Sequence, residues 1–288
     1  MDLIVKAIKS NPKLRISILL KEFSVAKSTF YRNLTKSYEI DKDKQDFELI
    51  SFVFQQRKRK VGIRQIKMIL ERNFSVVMNK KKIYRIMKKY NLKTEIRRKN
   101  KYRYFLKKNQ EHKTVKNILN REFDVKTPDT VYSTDITELK YGTKKAYLAV
   151  FKDLYSKDII AKNISNRIDI NLTNIALDKA LKRLTKEEKK NLMIHSDQGF
   201  HFTHFSFQKK LQDNGVTQSM SRKGNCIDNA PVESFFGYLK DHLELKGCKN
   251  LDDVKKEVTR EINYYNHSRP QLGLKKMPPS EYRRQLIS

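Results

Sequence analysis

The stretch TVYSTDITELKYGTKKAYLAVFKDLYSKDIIAKNIS, residues 130 to 165, decides the fold. Its apolar residues fall into three short runs, within 130–139, 145–154 and 158–165, parted by Tyr-Gly-Thr and by Tyr-Ser-Lys. Runs of that length, rich in Val, Ile, Tyr and Thr and bounded by turn formers, read as strands. A connection of a few residues joins antiparallel neighbours, because a parallel pair needs a crossover of a dozen residues or more. The stretch therefore predicts an antiparallel meander. Downstream, a helix-like NLTNIALDKALKRL (171–184) leads to the apolar NLMIHSD (191–197), and a helical FSFQKKLQDN (205–214) leads to a short VTQSM (216–220). Strand–helix–strand alternation adds parallel strands beside the meander. The expected fold class is α/β, with a mixed sheet of about five strands and helices on both faces.

Upstream of this region the texture is helical and strongly basic. Residues 1–124 carry 34 Lys/Arg against 12 Asp/Glu, a net of +22, and the remainder of the chain carries +9. Ile16, Leu19, Leu20 and Phe23 recur at helical spacing, and Ser28 is placed to open a second helix after a short turn. A second helix-turn-helix pattern follows, with Ile63, Ile66 and Leu70 on one stripe, Asn79 as a cap, and Ile83, Met87 and Tyr90 on the next. Its exposed face would carry Lys80, Lys81, Lys82 and Arg85, which are candidate contacts to a nucleic-acid backbone. A single lysine-rich helix is ordinarily just solvated; two such hairpins weaken that reading. The densely basic 93–113, with Tyr and Phe interleaved, suits a linker tracking DNA. The expected organisation is a helix-turn-helix-like region at 1–45, a second basic helix-turn-helix at 46–95, a basic linker at 96–125, and the α/β unit with a helical tail at 126–288.

A formal net charge of +31 over 288 residues calls for a polyanionic partner. The apolar runs are only strand length, so a membrane is not expected to be that partner, and a cytoplasmic protein is. Cys226 and Cys248 form no CxxC pair and have no histidine at zinc spacing, so both read as reduced thiols.

Three acids stand out. Asp135 lies within YSTDIT, although aspartate is disfavoured inside strands, and alternation puts Ser133, Asp135 and Thr137 on one face. Asp197 ends NLMIHSD, where a strand gives way to a loop. Either one alone reads most simply as a turn or cap. Asp228, Asn229 and Pro231 mark a helix start, which places Glu233 in or near its first turn, with Gly237 and Lys240 following on the same face. A first-turn acid ordinarily complements the helix dipole. Carboxylates on neighbouring strands and a nearby helix have a joint use: they can hold two Mg²⁺ ions, which take oxygen ligands and keep positions for water and phosphate. Such a pair activates an attacking oxygen and stabilises the leaving one in phosphodiester chemistry. Arg222, Lys223 and Asn225, in a loop before this helix, and Lys240 are further candidate DNA contacts. His195 reads as structural and Asp153 as a turn acid.

With 61 residues between Asp135 and Asp197 and 35 between Asp197 and Glu233, these acids resemble the DDE triad of transposases and retroviral-type integrases. TDIT, HSDQG, KGNCIDNAPVESFFGYLK and the tail YYNHSRPQLGLKKMPPSEY are similar to the second-reading-frame transposases of the bacterial insertion-sequence-three family, over nearly the whole chain. The resemblance implies a ribonuclease-H-like catalytic core preceded by an all-α helix-turn-helix region. It also implies strand cleavage at insertion-sequence ends and strand transfer into target DNA, with Mg²⁺ or Mn²⁺, two ions, at Asp135, Asp197 and Glu233. The implied partners are double-stranded DNA of the ends and the target, further copies of the chain on that DNA, and an upstream-frame transposase protein. Two positions depart from the family pattern: Tyr132 stands where tryptophan is expected, and Gln271 where histidine often follows Arg-Pro. The alternative is a DNA-binding regulator or a catalytically inactive remnant, which would ordinarily have lost an acid of the triad.

Overall fold

The computed structural model describes residues 15–31, 41, 43–95, 114–222 and 226–285. The basic stretch 96–113 and the loop residues Lys223 and Asn225 lie outside the described residues. Near the N-terminus, α1 (Ile16–Glu22) and a helical stretch at 27–31 bury Leu20 against Phe30. Ser28 does not cap that stretch. Phe30 N–H already donates to Ala26 O, so the helix starts ahead of the serine.

A three-helix unit follows. Helices α2 (Lys44–Gln56), α3 (Ile63–Phe74) and α4 (Lys80–Lys89) enclose Ile50, Val53, Phe54, Ile66, Leu70, Ile83 and Ile86. Asn79 caps α4 as expected, its side-chain oxygen accepting from Lys81 N–H at 2.8 Å. The added α2 supplies the third wall that a two-helix hairpin lacks.

The C-terminal part is a ribonuclease-H-like core. Strands β1 (Val131–Tyr141), β2 (Lys144–Asp153) and β3 (Ile159–Ser165) form the antiparallel meander. Beside β1 lie β4 (Met193–Ser196) and then β5 (Thr217–Met220), both parallel, giving the order β3-β2-β1-β4-β5. Gly142, at φ 55°, makes the tight β1–β2 turn. The helices of this part are α5 (Ile170–Leu181), α6 (Lys186–Asn191), α7 (Phe200–Thr203), α8 (Phe205–Asp213), α9 (Ala230–His242), α10 (Leu251–His267) and α11 (Pro279–Arg284).

Each face of the sheet is covered. Tyr132, Ala149, Phe151 and Ile194 pack on α5 and α8, while Leu139, Leu148, Val150 and Ile159 pack on α9 and α10. Burial on both faces explains why β2 reads as a nearly unbroken apolar run rather than an alternating one. Residues 114–125, expected as the end of a linker, lie against the core: Ile118 and Leu119 N–H donate to Ser219 Oγ at 2.9 and 3.1 Å, and Leu119 is buried.

Candidate active site

The parallel pairing of β1 and β4 sets Ser133 opposite His195. Asp135 on β1 and Asp197, just past the end of β4, each follow that pair by two residues. Alternation sends Asp135 to the face that carries α9, since Val150, opposite it on β2, belongs to the core under that helix. Asp135 Oδ1 accepts from Ile136 N–H at 2.7 Å, and Asp197 Oδ1 accepts from Gly199 N–H at 2.9 Å. A Cβ on Gly199 would stand 2.8 Å from that Asp197 oxygen, so a larger residue there would push the carboxylate from its present rotamer. Glu233 is exposed in the first turn of α9. Among the described residues no group of three or more His, Cys, Asp or Glu side chains is placed to hold a metal ion. The donor set is nevertheless three carboxylates, the all-oxygen chemistry that Mg²⁺ takes.

One row back in the sheet, a polar band fixes where α9 begins. Lys152, Ser133, His195 and Ser219 stand opposite one another across β2, β1, β4 and β5, and all four are buried. Ser133 Oγ donates to Asn229 Oδ1 at 2.7 Å, Asn229 Nδ2 donates to Thr134 O at 3.1 Å, and Lys152 Nζ donates to Pro231 O at 2.8 Å. The helix start is thus bolted over β1 and β2, and Glu233 follows Asn229 by one turn. His195 Nδ1 lies 2.9 Å from Ser219 Oγ. That oxygen already accepts two backbone N–H groups, so its proton goes to Nδ1 and the ring proton sits on Nε2. Burial pushes His195 below the usual imidazole range, which keeps it neutral.

Asp228 locks the approach to the helix. Its buried carboxylate accepts from Asn117 Nδ2 at 3.1 Å, Arg121 Nε at 2.7 Å, and from Arg222 through N, Nε and Nη2 at 3.0, 3.0 and 3.1 Å. The Arg222 guanidinium holds it far below the usual carboxylate range. Neither Asp228 nor Asn229 caps α9, contrary to expectation: both reach back to the core instead. Arg222 differs too, since the guanidinium expected on DNA grips Asp228. Only the folded chain reveals this pairing, since an acid six residues after an arginine has no regular helical or strand spacing.

The candidate DNA contacts divide. Lys80 and Lys81 are exposed at the start of α4. Lys82 pairs with Asp46 at 2.6 Å, and Arg85 is bidentate on Asp43 at 2.7 and 2.7 Å, so these two also tie α4 to α2. Lys240 lines a groove of 540 Å³ with Glu138, Lys140 and Lys246, toward the far end of β1.

Residues 125–226 match an integrase core domain family, residues 214–279 a second integrase core domain family, and residues 41–100 an HTH-like domain family. The transposase InsK for insertion sequence element IS150 of Escherichia coli K12 is 35% identical over 268 residues, 93% of this chain and 93% of the relative. The chain belongs to the insertion-sequence transposases. Transposase InsF of insertion sequence IS3A, also from E. coli K12, is 37% identical to this transposase over 124 residues, 43% of this chain and 42% of the relative. The HTLV-2 integrase catalytic core domain, solved in complex with magnesium, matches 55% of the transposase and 97% of its own chain at 19% identity and a TM-score of 0.45. The transposase is accordingly a DDE-type polynucleotidyl transferase. Among its described residues no helix is long and apolar enough to cross a membrane.

Proposed function

We propose that the transposase cleaves DNA strands at insertion-sequence ends and joins them to target DNA, with Asp135, Asp197 and Glu233 holding two Mg²⁺ or Mn²⁺ ions. What supports this reading is the β1/β4 register, which pairs Ser133 with His195, two residues before Asp135 and Asp197, together with Glu233 in the first turn of α9. Bound there, the ions would supply charge to activate the attacking oxygen and to stabilise the leaving one. The chain's own groups do the positioning: Asn229 and Lys152 fix the helix start, and Gly199 lets the loop hold the Asp197 carboxylate. Lys240, two turns past Glu233, is suited to a phosphate near the reacting bond, and Lys80 and Lys81, joined by the partly paired Lys82 and Arg85, to phosphates of the same duplex. Lys223, Asn225 and the exposed side of Arg222 are assigned to the strand entering the site. Further copies of the chain assembled on the DNA would bring two ends together.

The test is strand cleavage and joining on labelled DNA carrying the element's ends. Asp135→Asn, Asp197→Asn and Glu233→Gln should each abolish both steps while DNA binding persists. Near wild-type turnover in any one of them removes that acid from the site. A wild-type chain that binds the ends yet never cuts them with Mg²⁺ or Mn²⁺ would favour a DNA-binding regulator.

A further inference from the structure

On the side of α9 away from Glu233 lies a cavity of about 660 Å³. Pro231, Ser234, Phe235 and Tyr238, which share a helix face, form one wall, and the C-terminal tail closes it. Glu233 is on the opposite face, about a helix diameter of 10 Å away. The cavity is therefore distinct from the three acids.

Its polar lining consists almost wholly of donors. Lys152 is buried with one hydrogen bond, to Pro231 O, and its ammonium is pushed down to about 7 by burial and by nearby Arg269. The Arg269 guanidinium lies 4.4 Å from the Tyr238 ring centre and 5.6 Å from that of Tyr265. Lys157 Nζ borders Gly273, where a Cβ would come within 2.9 Å of it. The Gln271 amide is buried beside the Tyr265 hydroxyl. The wall's one acid, Asp124, is engaged by Lys126. None of Lys152, Lys157 and Arg269 forms an ion pair among the described residues. Lys152 is buried and Lys157 and Arg269 are half-buried, and cations held close together with no carboxylate between them favour the binding of an anion. A phosphate, with several acceptor oxygens, matches such a donor set.

The remaining walls mix aliphatic Val125, Leu154 and Leu274 with aromatic rings. The Tyr155 and Tyr282 rings stand 5.2 Å apart in this lining, which also includes Phe123. Aromatic faces beside cations take a nucleobase by stacking, and the volume lies in the range of small-molecule sites, about 300–1,000 Å³. We propose that this cavity is a nucleotide-binding site, with the phosphate on Lys152, Lys157, Arg269 and Gln271 and the base against the tyrosines. The nucleotide could be a free nucleoside phosphate or the unpaired 5′-phosphorylated terminus of a DNA strand, and the two share this chemistry. The assignment stands apart from strand cleavage and does not depend on it.

Calorimetry on the full chain tests it with 2′-deoxyadenosine 5′-monophosphate, without divalent metal. In parallel, a duplex with one unpaired 5′-phosphorylated nucleotide is compared with the same duplex bearing a 5′-hydroxyl. Binding of the monophosphate identifies a free nucleotide as a ligand, and a preference for the phosphorylated duplex of about tenfold or more identifies a strand end. In either arm Lys157→Gln and Arg269→Gln should each weaken binding about tenfold, whereas Lys190→Gln, which removes an exposed charge elsewhere, should not. Lys157→Gln leaves the tyrosine stack intact, so it reports on the site even if Arg269→Gln perturbs folding. No binding in either arm, binding unchanged by Lys157→Gln, or inorganic phosphate competing as well as the nucleotide would each overturn the proposal.

Discussion

Replacing Asp228 with alanine should loosen the whole approach to α9, and the structure sets the size of the effect. The carboxylate is 0% exposed and accepts five hydrogen bonds from Asn117, Arg121 and Arg222. Breaking a fully buried ion pair costs about 3–5 kcal/mol. Here the arginine side chains are 40% and 53% exposed, so both guanidinium groups can return to water once released. We expect about 2–3 kcal/mol for Asp228→Ala, or a fall in Tm of roughly 4–12 °C for a core of this size. Asp252→Ala, which removes an exposed acid paired with Lys255, is the control and should cost under about 0.5 kcal/mol. The pH dependence gives a second reading. Asp228 has a lowered folded pKa, so its stabilisation is present above the ordinary carboxylate range and is lost as pH falls below about 4. The gap between wild type and variant should therefore narrow in acid. Equal melting at pH 7, or a gap that widens as pH falls, would refute the reasoning.

Neutralising Lys80 and Lys81 should weaken DNA binding equally across sequences and lower the salt slope by about 2, because Lys82 and Arg85 are already engaged by Asp46 and Asp43; titrations at several salt concentrations measure this. Lys240→Ala should lower strand transfer several-fold more than affinity, read by comparing joining rates with equilibrium binding. Arg57→Ala should strand the buried Glu261, which otherwise accepts from Arg57 Nη2 at 3.0 Å and Tyr238 Oη at 2.5 Å, and cost about 2–4 kcal/mol in denaturant unfolding. That loss would loosen the three-helix unit from α10 and show as faster proteolysis between them.

The sheet was legible because its signals are local. Turn formers at 141–143 and apolar runs of strand length required the meander, and the helix between residues 171 and 184 required a parallel neighbour. Asp135 and Asp197 could be placed from alternation and strand ends. What escaped is long-range. Lys152 reads as one more lysine of a basic chain until its register with Ser133 puts it under Pro231. Asp228 and Asn229 have the composition of caps, and only the folded chain shows their side chains turned to Arg222, Arg121 and β1 instead. Salt bridges between α4 and α2 are equally silent in sequence, since they join residues about 40 positions apart.

The central claim is that Asp135 and Asp197 ligate the metal used in cleavage, and ligand exchange tests it most directly. Asp197→Cys replaces a carboxylate with a softer thiolate, which Mg²⁺ accepts poorly and Mn²⁺ better. Cleavage of a labelled insertion-sequence end by this variant should be lost with Mg²⁺ and return in part with Mn²⁺, with DNA affinity unchanged throughout. Wild-type cleavage by Asp197→Cys in Mg²⁺ would contradict the account.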